Sequence, residues 1–344
     1  MRDNPVVAVR GTGVAAACCQ ALLGAAGVEV QRDVTDRPRV PAVMLSLATQ
    51  ALLADIFQRP DLSEGLWRIE RRVVAWGSQP VAELPHSAIV VSERELLHRL
   101  EDRLEPGNSL PVEPGLPTWT IHTNRLAEGE VTHDFGSRVA TATHVTLSAK
   151  ADARACLMES LESGWLFLLP ENGQTAWLLS TGGPAETLLE ESRLVRLSVG
   201  EPIATGRSFP AHPRIVDPIS GVDWLACGSA ALGFDPLCGD GTGHAVREAL
   251  LACAVIRASK SSDLVEALMW EYRLRLWAGF GRHLELCRQF YSAGCPGEWW
   301  QLQGDGLNQG LRWLSARNSP CKLGRFRLNG FNLECLPDRF PFSK

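Results

Sequence analysis

The sequence predicts an α/β chain, α+β overall. It has a Rossmann-like first part, an inserted antiparallel sheet and a helical C-terminal region. Three observations carry this. Residues 5–33 read as strand, glycine turn, helix and strand. Between residues 119 and 200 the chain alternates short apolar runs with turn residues, the pattern of an antiparallel sheet. Residues 264–316 are helical in pattern and rich in aromatics.

In chain order, "PVVAV" (5–9) is a short buried strand. "RGTGVAAACCQALLGAAG" supplies a glycine turn and an alanine-rich helix that ends at Gly27, and "VEVQRDV" is the second strand. Gly11, Gly13 and Ala16 stand in G-x-G-x-x-A spacing. In that spacing the first glycine makes the tight turn, the second lets a pyrophosphate approach, and the small alanine lets helix and strand pack closely. A carboxylate at the tip of the second strand would bind a ribose hydroxyl pair. Glu29, Gln31 and Asp33 share one face there, and Gln31 or Asp33 is best placed, with no choice between them.

Residues 41–58 read as a helix. "RIERRVVAWG" and "HSAIVVS" read as strands. After Ser92 an amphipathic helix carries Leu96, Leu97, Leu100 and Leu104 at helical spacing. Four prolines make 105–118 a loop or linker. "PTWTIHTN", "HVTLSA", "ACLMESLE", "GWLFLLP" and "TAWLLST" follow as strands of one antiparallel sheet, and "DWLACGSAALGF" returns to buried-strand character.

The stretch "GFDPLCGDGTGHAVREALLACAVI" (233–256) sets Gly239, Gly241 and Gly243 at alternate positions before a nearly apolar helix. Glycine lets another group approach the main chain. A helix start offers unpaired N–H groups and the positive end of the dipole. Together they form a seat for a phosphate, a carboxylate or an anionic ring.

The 344 residues exceed what one simple core usually serves. A net charge of −5 with no Lys/Arg-rich block gives no nucleic-acid footprint. No apolar run reaches bilayer length and the first residues lack the pattern of a signal peptide, so a cytoplasmic protein with no membrane contact is expected. The ten cysteines include no CxxC pair, and their default role is that of small buried hydrophobes.

Taken in order, "AVRGTGVAAA", "RRVVAWG…HSAIVVSERELLHRL", "ESLESGWLFLLP" and "WLACGSAALGFDPLCGDGTGHAVREALLA" resemble the FAD-dependent monooxygenases of the p-hydroxybenzoate hydroxylase fold. Within that superfamily they look most like the tryptophan-halogenase-like branch, nearest to the flavoprotein maturases that oxidise a Trp side chain during quinone-cofactor biogenesis. The resemblance covers residues 5–260. It implies that Gly11, Gly13 and Ala16 face the FAD pyrophosphate and that Asp235, Pro236, Gly239, Gly241, Thr242 and Gly243 surround the flavin. It also implies a discontinuous FAD-binding domain (1–60, 86–140 and 205–262), an antiparallel-sheet substrate domain (61–85 and 141–204) and the helical region at 263–344.

The chain departs from the family at several points. Gly228 and Ser229 stand where the family has Gly-Asp, and the Asp binds the ribityl chain; a serine keeps a hydrogen bond but no charge. "HDFGSR" (133–138) is the candidate for the family's middle Asp-Gly motif. Trp165, Phe167, Leu169 and Pro170 give W-x-F-x-L-P in place of W-x-W-x-I-P, with no lysine placed like the halogenase catalytic lysine, which points away from halogenation. The implied function is FAD-dependent hydroxylation of an aromatic, indole-type substrate, either a small molecule or a Trp of a partner polypeptide. A flavin oxidoreductase acting on a small molecule and a non-catalytic binding protein on a degenerate FAD fold stay open. The sequence fixes no oligomeric state.

Individual residues carry competing readings. Asp235 and His244 are the catalytic candidates, against loop shaping for Asp235 and a helix-start hydrogen bond for His244. Trp165 and Phe167 point the same way from a strand, as a substrate wall or as core. Cys238 in the glycine loop reads as a packed thiol. His283 and Cys287, four apart on a helix, have no further ligand within reach by sequence, so no metal is expected. Trp299, Trp300, Phe290 and Tyr291 read as packing of the helical end.

Overall fold

The computed structural model describes residues 6–35, 37–102, 109–111, 118–124, 129–259, 264–317 and 326–336. The first apolar run forms β1 (Val6–Arg10), followed by α1 (Val14–Ala25) and β2 (Glu29–Asp33). Strands β1 and β2 run parallel, with Val7 beside Val30. A strand covered on both faces can be apolar throughout, and Val7, Ala8 and Val9 are fully buried.

Residues 41–58 are not one helix. Val43–Ser46 forms β3, which pairs antiparallel with a later strand, and α2 spans Leu47–Phe57. The break falls at Ser46, whose Oγ accepts the Thr49 N–H at 3.3 Å and so caps α2. Strands β4 (Trp67–Ala75) and β5 (Ala82–Val91) form a hairpin, and β5 continues unbroken through residue 86. Helix α3 (Glu93–Glu101) starts at Ser92, whose Oγ accepts the Glu95 N–H. Within the proline-rich stretch, Ser109–Pro111 is a strand, β6, parallel to β2; residues 105–108 and 112–117 of that loop reading lie outside the described residues.

"PTWTIHTN" is a strand, β7 (Trp119–His122), but it does not belong to the antiparallel sheet. It lies parallel to β1, and its Ile121 is fully buried, as a central strand of the first sheet requires. After it come β8 (Val131–Asp134), β9 (Val139–Leu147), β10 (Ala155–Leu161), β11 (Gly164–Pro170), β12 (Thr175–Thr181), α4 (Ala185–Glu191) and β13 (Val199–Pro210). Next are β14 (Arg214–Asp217), β15 (Trp224–Ala226), β16 (Leu232–Gly233), α5 (Gly241–Ser259), α6 (Val265–Ser292) and α7 (Glu298–Ser315). The C-terminal region is not wholly helical: β17 (Phe326–Asn329) and β18 (Asn332–Cys335) close it as a hairpin against α5.

Two sheets dominate. The parallel sheet has the order β15-β7-β1-β2-β6. The larger sheet has the order β13-β9-β12-β11-β10-β4-β5-β3 and is antiparallel except where β10 meets β4. A small antiparallel sheet, β16-β14-β8, sits beside them. Every residue of β10 and β11 is buried, because the large sheet is covered on both faces. Trp165, Phe167 and Leu169 face the main core. Leu166 and Leu168 face a second cluster that includes Leu188 of α4 and Val195. Cys18, Cys19, Cys227 and Cys253 are buried in the main core as small apolar side chains.

Candidate functional site

A cavity of about 470 Å³ lies where the carboxyl ends of the parallel strands meet the inner face of the large sheet. Thr12 follows β1, Thr123 follows β7, and Gly228 and Ser229 follow β15; all four line it. Ligands of open parallel sheets sit at this end of the strands. The opposite wall is apolar: Phe167 and Leu169 from β11, Trp177 and Leu179 from β12, and Phe209 from β13. A second cleft, between β9, β13 and α7, touches neither glycine loop.

Two bare helix starts face this cavity. At the first, Gly11 and Gly13 have φ of 120° and 97°, values that side chains other than hydrogen rarely adopt. A Cβ at Gly11 would stand 1.9 Å from Asn124 Oδ1, and one at Gly13 would stand 2.4 Å from Arg37 Nη2. The Arg37 guanidinium thus lies directly over the turn. Glu93, buried on α3, holds it: Nη1 donates to Glu93 Oε2 at 3.1 Å, and Nη2 pairs with Oε1. The Val40 N–H donates to the same carboxylate at 2.7 Å. At the second start, Gly241, Thr242 and Ala245 line the cavity, and no acidic residue occupies the first turn of α5. Nothing lies within 4 Å of where a Gly241 Cβ would stand. Both starts therefore present N–H groups and a positive dipole end to one space.

The loop that carries Asp235 is pinned from beneath. Asp235 is 1% exposed. Its Oδ1 accepts the Leu237 N–H, and its Oδ2 accepts Arg138 Nε–H and the Tyr291 hydroxyl, each at 3.0 Å. Burial pushes this carboxyl up, and the Arg138 charge opposes the shift. With these donors around it, the carboxylate holds the loop in shape rather than standing free as a base. Arg138 also donates to Gln303 Oε1 at 3.0 Å and lies over the Tyr291 ring. His244 stacks on Phe234 with centroids 4.0 Å apart, and its N–H donates to the Asp240 carbonyl. Burial, aided by Arg247, pushes its imidazole down to about 4, so it is neutral near pH 7. Glu248 accepts the Gly228 N–H at 2.7 Å, and burial raises its carboxyl to about 8.

The expected residues divide clearly. Gly228, Ser229, Asp235, Pro236, Gly239, Gly241, Thr242 and Phe167 line the cavity. Gly11, Gly13 and Ala16 shape the turn beside it, and Ala16 is fully buried against the core. Gly243 packs against Asp240 and Thr49. Gln31 is 2% exposed and Asp33 passes its carbonyl to Gly11 N–H; neither side chain lines the cavity. Trp165 is not a cavity wall: it is fully buried, and its Nε1–H donates to the Tyr291 hydroxyl at 3.1 Å. Trp300 and Tyr291 are buried, as core packing requires. In "HDFGSR" the side chain that reaches the Asp235 loop is Arg138; Asp134 pairs with His212 outside the cavity.

Sequence reasoning missed Arg37, Glu93, Trp177, Phe209 and Arg214, which come from five separate elements or loops. Only Arg37, close behind the second strand, carried a local signal. His283 and Cys287 have no third ligand within reach by sequence, but the structure supplies a candidate from a distant segment. The loop brings Cys238 to them, and ligand atoms of all three lie within 4.8 Å of one another.

No protein-family model matches the chain, and no match arose among curated protein sequences. Solved structures do match. CmlS, a flavin-dependent halogenase, aligns with a TM-score of 0.75 at 16% identity, over 93% of this chain and 71% of that one. QhpG, a peptidyl tryptophan dihydroxylase essential for tryptophylquinone cofactor biogenesis, aligns at 0.67 and 17% identity, over 97% and 86%. PqsL, a probable FAD-dependent monooxygenase from Pseudomonas aeruginosa, aligns at 0.65 and 13% identity, over 91% and 100%. The chain shares the fold of these proteins. No helix among the described residues is long and apolar enough to cross a membrane.

Proposed function

We propose that this chain is an FAD-dependent oxidoreductase that hydroxylates an aromatic, indole-type ring, with a Trp side chain of a partner polypeptide as the substrate during quinone-cofactor maturation in the cytoplasm. One observation carries the reading. Two glycine-lined helix starts and a buried-carboxylate-held arginine face one cavity, in the fold shared with flavin-dependent halogenases and monooxygenases. The shape fits the cofactor: the bare backbone at Gly13 and Gly241 is the space that a bulky, doubly charged dinucleotide needs.

When bound, FAD would supply the two-electron chemistry and the activation of dioxygen that ring hydroxylation needs. The chain's own residues bind, orient and exclude water. Arg37 and the first N–H groups of α1 would hold the diphosphate, with Glu93 fixing the guanidinium. The N–H groups at Gly241 and Thr242 would meet the electron-rich edge of the flavin ring. Phe167, Leu169, Leu179 and Phe209, with Trp177, form an apolar wall against which an aromatic ring can stack while water is kept out. No lysine is among the described residues that line the cavity.

The test is reconstitution with FAD and a chemical reductant in air, followed by mass spectrometry of offered Trp-containing peptides and of free indoles. A gain of one or two oxygen atoms on a peptide Trp supports the reading. Oxygen appearing only on the free indole moves the substrate to small molecules. Reoxidation without any oxygenated product contradicts the hydroxylase assignment.

A further inference from the structure

Outside the cavity lining, three side chains that can ligate a metal meet at the glycine loop. Cys238 ends the short helical turn Pro236–Cys238 and is half-buried. His283 and Cys287 lie one turn apart on α6, at 4% and 0% exposure. We propose that Cys238, His283 and Cys287 form a binding site for a thiophilic divalent cation, zinc in class, that ties the cavity-lining loop to α6.

In a tetrahedral zinc site, bonds of about 2.3 Å to sulfur and 2.0–2.1 Å to nitrogen place two sulfurs about 3.8 Å apart and sulfur about 3.6 Å from nitrogen. Here Cys238 Sγ lies 3.7 Å from Cys287 Sγ, and Cys287 Sγ lies 3.4 Å from His283 Nε2. The third ligand atom stays within the 4.8 Å limit of the cluster. Two sulfurs and one imidazole suit zinc and exclude hard cations such as magnesium or calcium. Three protein ligands leave a fourth position for water.

Loading has a visible cost in the loop. The Asp235 N–H now donates to His283 Nε2 at 2.9 Å, using the lone pair that the metal would take. Metal binding therefore exchanges that hydrogen bond for a coordinate bond and releases one backbone N–H beside the cavity. Cys238 is not itself a cavity-lining residue, so the ion would position the loop and not touch substrate.

The experiment is titration of the reduced, metal-free full-length chain with Co²⁺, followed by zinc competition. The expected result is one equivalent bound, with tetrahedral ligand-field bands and thiolate-to-cobalt charge transfer, and displacement by zinc. Cys238→Ser and Cys287→Ala should each weaken Co²⁺ binding by more than the 10–100-fold that outer-shell partners contribute, while Cys335→Ser leaves it unchanged. Circular dichroism of each variant shows whether it is folded, and Cys238→Ser, at the half-buried position, is the variant that bears the test if Cys287→Ala does not fold. A reduced wild-type chain that binds no stoichiometric Co²⁺ overturns the proposal. So does binding that survives in folded Cys238→Ser, or a chain whose two thiols are found only as a disulfide that binds no metal after reduction.

Discussion

Arg138 and Asp235, 97 residues apart in sequence, form an ion pair with no solvent exposure on either side chain, Nη2 to Oδ2 at 2.9 Å. The pair joins the strand edge after Phe135 to the loop that lines the cavity. A buried pair of this kind stabilises little relative to an apolar replacement, but losing one member leaves a charge stranded. Asp235→Asn or Arg138→Met alone should cost about 3–5 kcal/mol in denaturant unfolding. The double variant should cost less than the sum of the two. Single variants within about 0.5 kcal/mol of wild type, or strict additivity, would show that the pair does not pin the loop.

Arg37 lies over the first glycine turn and is fixed by buried Glu93. Its charge is the feature of that turn best suited to a diphosphate. Arg37→Ala should weaken FAD binding about 10- to 100-fold, read by quenching of flavin fluorescence. Arg37→Lys should recover part of the loss. An unchanged dissociation constant in Arg37→Ala would place the diphosphate elsewhere.

Ser229 lines the cavity at the position where the resemblance read from the sequence implies an aspartate, and Arg214 donates to its backbone carbonyl at 2.6 Å. A carboxylate there would offer a charged acceptor to a ribityl hydroxyl. Ser229→Asp should therefore tighten FAD binding by a few-fold to about a hundred-fold. Weaker binding in Ser229→Asp would mean that the ribityl chain does not pass this residue.

Glu248 is buried on α5 and holds the Gly228 N–H, and its carboxyl is raised from 4.5 to about 8. A raised carboxyl binds a proton in the folded chain over a range where the unfolded chain has lost it. Its contribution is thus full below pH 4.5 and declines as the pH rises to about 8, where the loss is complete. The decline should be on the order of 3–5 kcal/mol. The stability of Glu248→Gln, followed by denaturant unfolding across this window, should lack that slope. Parallel pH profiles for wild type and Glu248→Gln would rule out Glu248 as its source.

The parallel start was legible because its signals are local: β1, the glycine turn and α1 follow each other within twenty residues. The late glycine loop was legible for the same reason. What sequence order hid was pairing. "PTWTIHTN" reads as a strand in either sheet, and only its register with β1 decides. Val43–Ser46 is apolar in a way that suits helix and strand alike, and pairing with β5 settles it. Trp165 and Phe167 share a face of one strand, yet one meets Tyr291 and the other the cavity, because the cavity ends between them. The Cys238 ligand and the Arg37–Glu93 pair are likewise contacts between distant segments, which residue spacing along the chain cannot express.

The central claim is that this fold still holds FAD. It is tested most directly by the visible absorption spectrum of the purified chain, with and without added FAD and after removal of unbound cofactor. A flavin spectrum at close to one equivalent is expected, retained through gel filtration and reduced by Arg37→Ala. A chain that keeps no flavin, even after titration with excess FAD, would contradict it and leave a flavoprotein fold that serves binding alone.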